Sequence, residues 1–202
     1  MPKALFNLRQ PFAMRGGFGV AVVAAALSSS GAASAADFSI GIGAGADRGH
    51  ADCIASMPCD RSSAGGKLFA GYRIADSLDV QAAYFGAGHF HGGDTTPLGT
   101  DFGGTFKVSG FSVTGGYAWK FMPGWDVTGR VGLAVVRTRF DYADDAFASV
   151  SKTTVQPAVG IGVGYAITPS TRVSLDDDLT RFKVHTTQGS LQTLGLSARF
   201  AF

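Results

Sequence analysis

The sequence contains no glutamate: all 15 acidic residues are aspartate. With no carboxylate on a longer stem, and with 29 glycines and 16 phenylalanines, the composition disfavours helices and favours strands and turns. Long apolar runs are also missing. The longest, from Phe18 to Leu27, falls well short of the roughly 20 residues a helix needs to cross a bilayer. Cysteine is scarce, with only Cys53 and Cys59, in "ADCIASMPCDRSSA". No further soft ligands lie near them to make a zinc site, and their spacing does not suit a redox pair. In an exported chain an even pair points to a disulfide, contributing about 2 kcal/mol for so small a ring. The formal net charge is only +2.

Even that small positive balance belongs to the beginning of the chain. "MPKALFNLRQPFAMRGG" holds Lys3, Arg9 and Arg15 with no acid, and "FGVAVVAAALSSSGAASAAD" adds an apolar core and small residues ending in Ala33-Ser34-Ala35. Basic, apolar and A-x-A segments in that order describe a secretory signal over residues 1–35, cleaved near Ala35 or Ala36. The remaining residues, 36–202, are expected to form one domain with a net charge near −1, which implies no nucleic-acid partner.

What this domain has in abundance is period-two alternation. In "VQPAVGIGVGYAI", Val155, Pro157, Val159, Ile161, Val163, Tyr165 and Ile167 share one face, and Gln156, Ala158, Gly160, Gly162, Gly164 and Ala166 share the other. A water-soluble sandwich would bury the large face and expose Lys, Glu or Thr opposite it; here the opposite face is glycine. That inversion suits a narrow barrel with a crowded lumen and hydrocarbon outside. Comparable runs place strands near 38–49, 65–74, 78–91, 105–121, 125–140, 153–167, 171–184 and 190–202. Eight is an even number, as a closed bacterial barrel requires, so the expected fold is all-β: an eight-stranded antiparallel up-and-down transmembrane β-barrel.

The connections alternate in length. "ADS", "MPGW" and "TPS" are tight turns, whereas the cysteine segment, "GGDTTPLGTDFGG" and "ADDAFASVSK" are longer polar links. Outer-membrane barrels turn tightly in the periplasm and carry their longer loops outside, which orients the chain. Tyr72, Phe121, Trp125, Tyr165, Phe200 and Phe202 then fall beside a short turn or the C-terminus, where an aromatic girdle belongs.

The segment "CIASMPCDRSSAGGKLFAGYRIADSLDVQAAYFGAG" resembles the outer-membrane protein A-like β-barrel family. The resemblance lies in Cys53 and Cys59 bracketing the first loop, Lys67-Leu68, Gly71-Tyr72-Arg73 and Tyr84-Phe85. It implies residence in the Gram-negative outer membrane, contact with outer-membrane lipid and lipopolysaccharide, and no cofactor. It also implies that Phe202 is read by the barrel-assembly machinery. The chain departs from the family pattern in two places, with Gln81 where Glu is frequent and with Asp177 on the nominal lipid face. For Asp177 the alternatives are a bulge that shifts the register or a polar partner. The sequence does not run on into the peptidoglycan-binding domain of some relatives, so anchoring by that route is not expected.

Parity turns Lys67, Arg73, Asp79, Lys120, Asp126, Arg130, Asp176, Asp178 and Arg199 inward. Such a mixed-sign set is either a gated ion path or a plug of salt bridges. The plug is favoured because eight strands leave a lumen only just wide enough for side chains. His89 and His91 share one face near Asp94 but read as solvated, and no metal site is expected. His185 and Ser190 lack the ordered acid of a lipid-modifying hydrolase, so the protein is expected not to be an enzyme. The expectation is an integral barrel with an envelope-structural role and loops that meet a surface ligand of unnamed identity. The alternative is a small porin-like channel or transporter for ions or small solutes.

Overall fold

The computed structural model describes residues 37–51, 61–95, 101–142, 149–184 and 187–202. The expected leader, Cys53, Cys59 and His185 lie outside the described residues. Eight strands follow one another: β1 (Phe38–Ala51), β2 (Ser62–Ala75), β3 (Leu78–Thr95), β4 (Asp101–Met122), β5 (Trp125–Tyr142), β6 (Val150–Ala166), β7 (Thr171–Val184) and β8 (Thr187–Ala201). Each pairs antiparallel with the next, and β8 returns to β1, so the sheet closes into a barrel without edges. Closure satisfies the backbone polar groups internally, which a chain in hydrocarbon must do.

The register sets the barrel's dimensions. Starting at inward-facing Ser39, direct partners run through Gly71, Gln81, Thr114, Gly132, Ala158, Thr180 and Leu191. The path returns to β1 at Gly49, ten residues beyond its start. Eight strands with that stagger tilt by about 40° and leave an interior that side chains fill. One bulge, between Gly86 and His89, interrupts β3 against β4. It brings Phe90 into the lumen and leaves His89 and His91 exposed on the outside.

Three short connections meet at one end of the barrel. Met122 pairs directly with Trp125 across Pro123-Gly124, a turn in which Pro sets the first central residue and Gly the second. Gly124 has φ of 79°, a left-handed conformation costly for other residues. The C-terminus closes this same end, where the amide of Phe202 donates to the carbonyl of Phe38 at 3.0 Å.

At the other end the strands run farther than the alternation indicates. β3 and β4 remain paired out to Thr95 and Asp101, so much of "GGDTTPLGTDFGG" is ladder rather than loop. β8 begins at Thr187, three residues before the expected start. The reason lies in a reversal of pattern along single strands. In β5, Val127, Val131, Leu133 and Val135 point outward over inward Asp126, Thr128 and Arg130. Farther up, Arg137 and Arg139 point outward while Val136 and Phe140 are fully buried inside. β7 behaves alike, with outward Val173, Leu175 and Leu179 giving way to Arg181 and Lys183 as inward Asp176 and Asp178 give way to Phe182. Where the wall leaves hydrocarbon it becomes an ordinary β-barrel in water, greasy inside and charged outside.

This pattern predicts how the protein responds to charge on its outer wall. Leu196, 68 % exposed in the middle of the apolar run of β8, would be indifferent to substitution in water. Leu196→Arg is expected to destabilise the refolded barrel by about 2–4 kcal/mol in bilayers, measured by denaturant titration. Arg181→Leu, at the upper rim, is expected to change stability little.

Candidate functional site: a lumen filled in two tiers

β6 explains the lower tier. Its inward Gly160, Gly162 and Gly164 face β7, where Asp178, Asp176 and Arg172 lie folded against them. A Cβ at Gly162 would overlap Oδ1 of Asp176, and one at Gly164 would overlap the Arg172 guanidinium. Gly116 gives Asp79 the same room from β4. The glycine face that looks featureless in the sequence is therefore a set of seats for ionic side chains from the neighbouring strands.

Asp176 is the hub and is almost fully buried. It accepts from Lys67 Nζ at 3.1 Å, from an Arg130 Nη at 2.9 Å and from Ser197 Oγ at 2.6 Å. Lys67 also donates to Asp178 at 2.6 Å, so one cluster ties β2, β5, β7 and β8 together. Nearer the short turns, Arg199 reaches from β8 to β3, donating to Asp79 at 2.8 Å and to Oε1 of Gln81 at 2.8 Å. Gln81, the departure from the family pattern, thus supplies a neutral acceptor to the same guanidinium that neutralises Asp79. Arg172 pairs with Asp126 and donates to Thr128 Oγ1 at 3.1 Å. The Phe69 ring lies within the lumen, with Lys67 Nζ 5.7 Å and Arg199 Cζ 5.5 Å from its centroid. Its face provides both cations with a further attraction.

Of the nine inward charges expected from parity, seven enter these clusters: Lys67, Asp79, Asp126, Arg130, Asp176, Asp178 and Arg199. Arg73 and Lys120 line the mouth beside the short turns and form no ion pair among the described residues. The parity argument missed Arg172, although it shares the parity of Asp176 and Asp178. It also missed Asp47, buried on the face of Gly41, Gly43 and Gly45, where Thr193 Oγ1 donates to it at 2.5 Å.

The upper tier is apolar. Phe90, Phe106, Val108, Ala134, Val136, Phe140, Phe182 and Leu191 form a buried cluster across β3, β4, β5, β7 and β8. The rings of Phe106 and Phe140 lie 4.5 Å apart. Each large side chain so buried contributes about 1.5–3 kcal/mol. Between the tiers a cavity of about 70 Å³ is lined by Lys67, Gln81, Thr114, Arg130 and Asp176 on one side and Leu191 on the other. That is room for a few water molecules.

On the outer wall, Tyr72, Phe121, Trp125, Tyr165, Phe200 and Phe202 are all exposed near the short turns. Phe38 joins them, 6.1 Å from Tyr72 and 6.0 Å from Phe202 between ring centroids, and Trp125 lies 5.0 Å from Tyr165. Asp177 does face outward. β7 keeps an unbroken register against β8, with Leu194 directly opposite Asp177 and Ile161 opposite it on β6. No bulge rescues it; its partner is Gln192, whose Nε2 donates to the two carboxylate oxygens at 3.0 and 2.9 Å.

The model of the outer membrane protein beta-barrel domain family matches residues 18–202. Among solved structures, the chain is similar to Neisserial surface protein A (NspA) at 18 % identity and a TM-score of 0.63, over 82 % of this chain and 97 % of that one. It is similar to OprG of Pseudomonas aeruginosa at 12 % identity and a TM-score of 0.52, over 83 % and 98 %. It is also similar to Ail of Yersinia pestis at 16 % identity and a TM-score of 0.48, over 81 % and 99 %. No curated protein sequence matches. Identities this low speak to the fold alone.

Two substitutions probe the lower tier. Asp176→Ala removes the buried acceptor of Arg130 and Lys67, leaving them only the more exposed Asp178, and is expected to cost about 3–5 kcal/mol in urea unfolding of the refolded barrel. Gly162→Ala is expected to cost about 1–3 kcal/mol by displacing the same carboxylate.

Proposed function

The chain belongs to the outer membrane protein beta-barrel domain family, and from that premise we propose a non-enzymatic integral barrel that is closed along its axis. Its role is structural in the envelope, with the links at the upper end displayed for contact with surface ligands. The observation that carries this reading is the filled lumen. An ion must pass an ionic cluster centred on Asp176 and then a largely apolar tier in which Val136 and Phe140 are 0 % exposed. Charged groups satisfied by neighbours in a confined lumen act as struts, since leaving any of them unpaired is costly. An apolar constriction adds a second barrier, because a passage without water does not conduct.

In this reading residues 1–35 are an export signal and Cys53 and Cys59 pair after export. Phe202, held against Phe38 where the sheet closes, is the terminal residue offered to the assembly machinery. A polar cluster that ties strands together has no need of catalysis, and the charged side chains of the lower tier are occupied with one another rather than free at an open cleft.

Planar-bilayer recording of the refolded protein tests the closed lumen. The expected result is no steady conductance, whereas a sustained ohmic current would establish the channel alternative. Mass spectrometry of lipid A from cells with and without the protein tests the absence of enzymatic action. Identical acyl-chain patterns are expected, and a changed pattern would overturn the non-enzymatic reading.

A further inference from the structure

The mouth beside the short turns holds more cations than its acids neutralise. A cavity of about 130 Å³ there is lined by Arg73, Lys120, Arg172 and Arg199, against Asp79 and Asp126 on the strands and Asp76 in the turn after β2. The register shows how these charges are shared. Arg172 of β7 and Arg199 of β8 stand directly opposite each other, a like-charge pair that destabilises a sheet unless anions lie beside it. Asp126 serves Arg172, and Asp79 serves Arg199 at 2.8 Å. Both carboxylates are thereby engaged. Arg73 lies opposite Asp79 in the ladder, and Lys120 lies opposite Asp126, yet neither cation forms an ion pair among the described residues. Asp76 is exposed in its turn and forms none there either.

The arrangement restricts what can complete it. β2 and β4 flank β3, so Arg73 and Lys120 reach inward from strands about 10 Å apart, two ladder spacings. One anion between them meets a guanidinium on one side and an ammonium on the other. The two arginines behind it keep donors in hand, since a guanidinium has five N–H groups. Arg199 gives one to Asp79 and one to Gln81, and a single terminal nitrogen of Arg172 serves both Asp126 and Thr128. A tetrahedral oxyanion presents oxygens in several directions and suits such converging forks, whereas chloride has no directed acceptors. Lipid is on the far side of the wall, where the exposed rings of Tyr72, Trp119, Phe121 and Trp125 stand at this height. The cations open to the aqueous mouth instead.

We propose that this mouth is a binding site for a free oxyanion of the phosphate class, held between Arg73 and Lys120 with Arg172 and Arg199 behind it. The site lies at the end of the barrel opposite the displayed links and does not depend on their role. A bound oxyanion relieves the repulsion between the facing arginines and completes the charge balance of the lower tier. The folded barrel therefore gains stability as the concentration of the anion rises, because the unfolded chain has no such site.

The test titrates the refolded barrel in a non-ionic detergent with inorganic phosphate and, at matched ionic strength, with chloride. Calorimetry is expected to show saturable binding of phosphate at one site, and the urea midpoint to climb with phosphate but not with chloride. Arg73→Gln and Lys120→Gln are each expected to weaken binding roughly ten-fold, the loss of one charge-assisted hydrogen bond. Arg137→Gln, on the outer wall at the far rim, is expected to leave it unchanged. A second measurement needs no variant: phosphate is expected to slow acetylation of Lys120 in the wild-type protein several-fold, read by peptide mass spectrometry. No saturable phosphate binding, undiminished binding in both mouth variants, or an unaltered Lys120 rate would each overturn the proposal. So would binding of phosphatidylglycerol added to the micelles with no response to free phosphate, since that would assign the cations to a lipid headgroup.

Discussion

Everything in this molecule follows from how β8 closes on β1. That closure, with a stagger of ten residues, sets a radius at which inward side chains from opposite strands must touch. In a lumen so narrow most inward charges meet a partner of opposite sign. Arg199 crosses to Asp79, and Lys67 and Arg130 converge on Asp176 and Asp178. The glycines of β6 are the complement of this crowding. Where one strand places a carboxylate or a guanidinium, its neighbour gives up a side chain. Glycine weakens a strand in isolation, but here it is the condition for burying a neutralised ionic cluster at close packing.

The same closure makes the two surfaces of the wall answer to different solvents at different heights. Inside hydrocarbon the outer residues must be apolar and the inner ones can be polar; beyond it the requirements exchange. β5 carries both regimes in a single strand, turning over between Val135 and Arg137 on the outside and between Arg130 and Val136 on the inside. The outer boundary of the membrane is thereby written in the protein as a change of parity. The upper apolar tier is the small hydrophobic core of the part that stands in water. Asp177 is the exception within the belt, an acid among Ile161, Leu194, Leu175 and Leu179, tolerated because the amide of Gln192 satisfies both of its oxygens.

The rim beside the short turns carries aromatic rings on its outer wall, and the opposite rim carries exposed basic side chains. Aromatic rings suit the dipolar interface in general, while guanidinium groups discriminate for anions. The ion-paired lumen ties β2, β5, β7 and β8 together across the barrel.

Period-two alternation, the number of apolar runs and the uneven links were enough to read the eight strands, their direction and which side chains turn inward. That information is local, because successive side chains on a strand point to opposite sides whatever the strand pairs with. For the same reason parity alone brought Lys67, Asp126, Asp176 and Arg199 to one lumen. Parity could not tell which of these charges would meet, nor that Gln192 lies diagonally across from Asp177. Both depend on the register between strands, which is a property of the closed sheet. Nor did alternation carry through the upper ladders, where Phe90 enters only because of a bulge and Phe140 points inward beside outward arginine. There the sign of the pattern depends on the solvent at that height, and the height of each residue exists only once tilt and stagger are set.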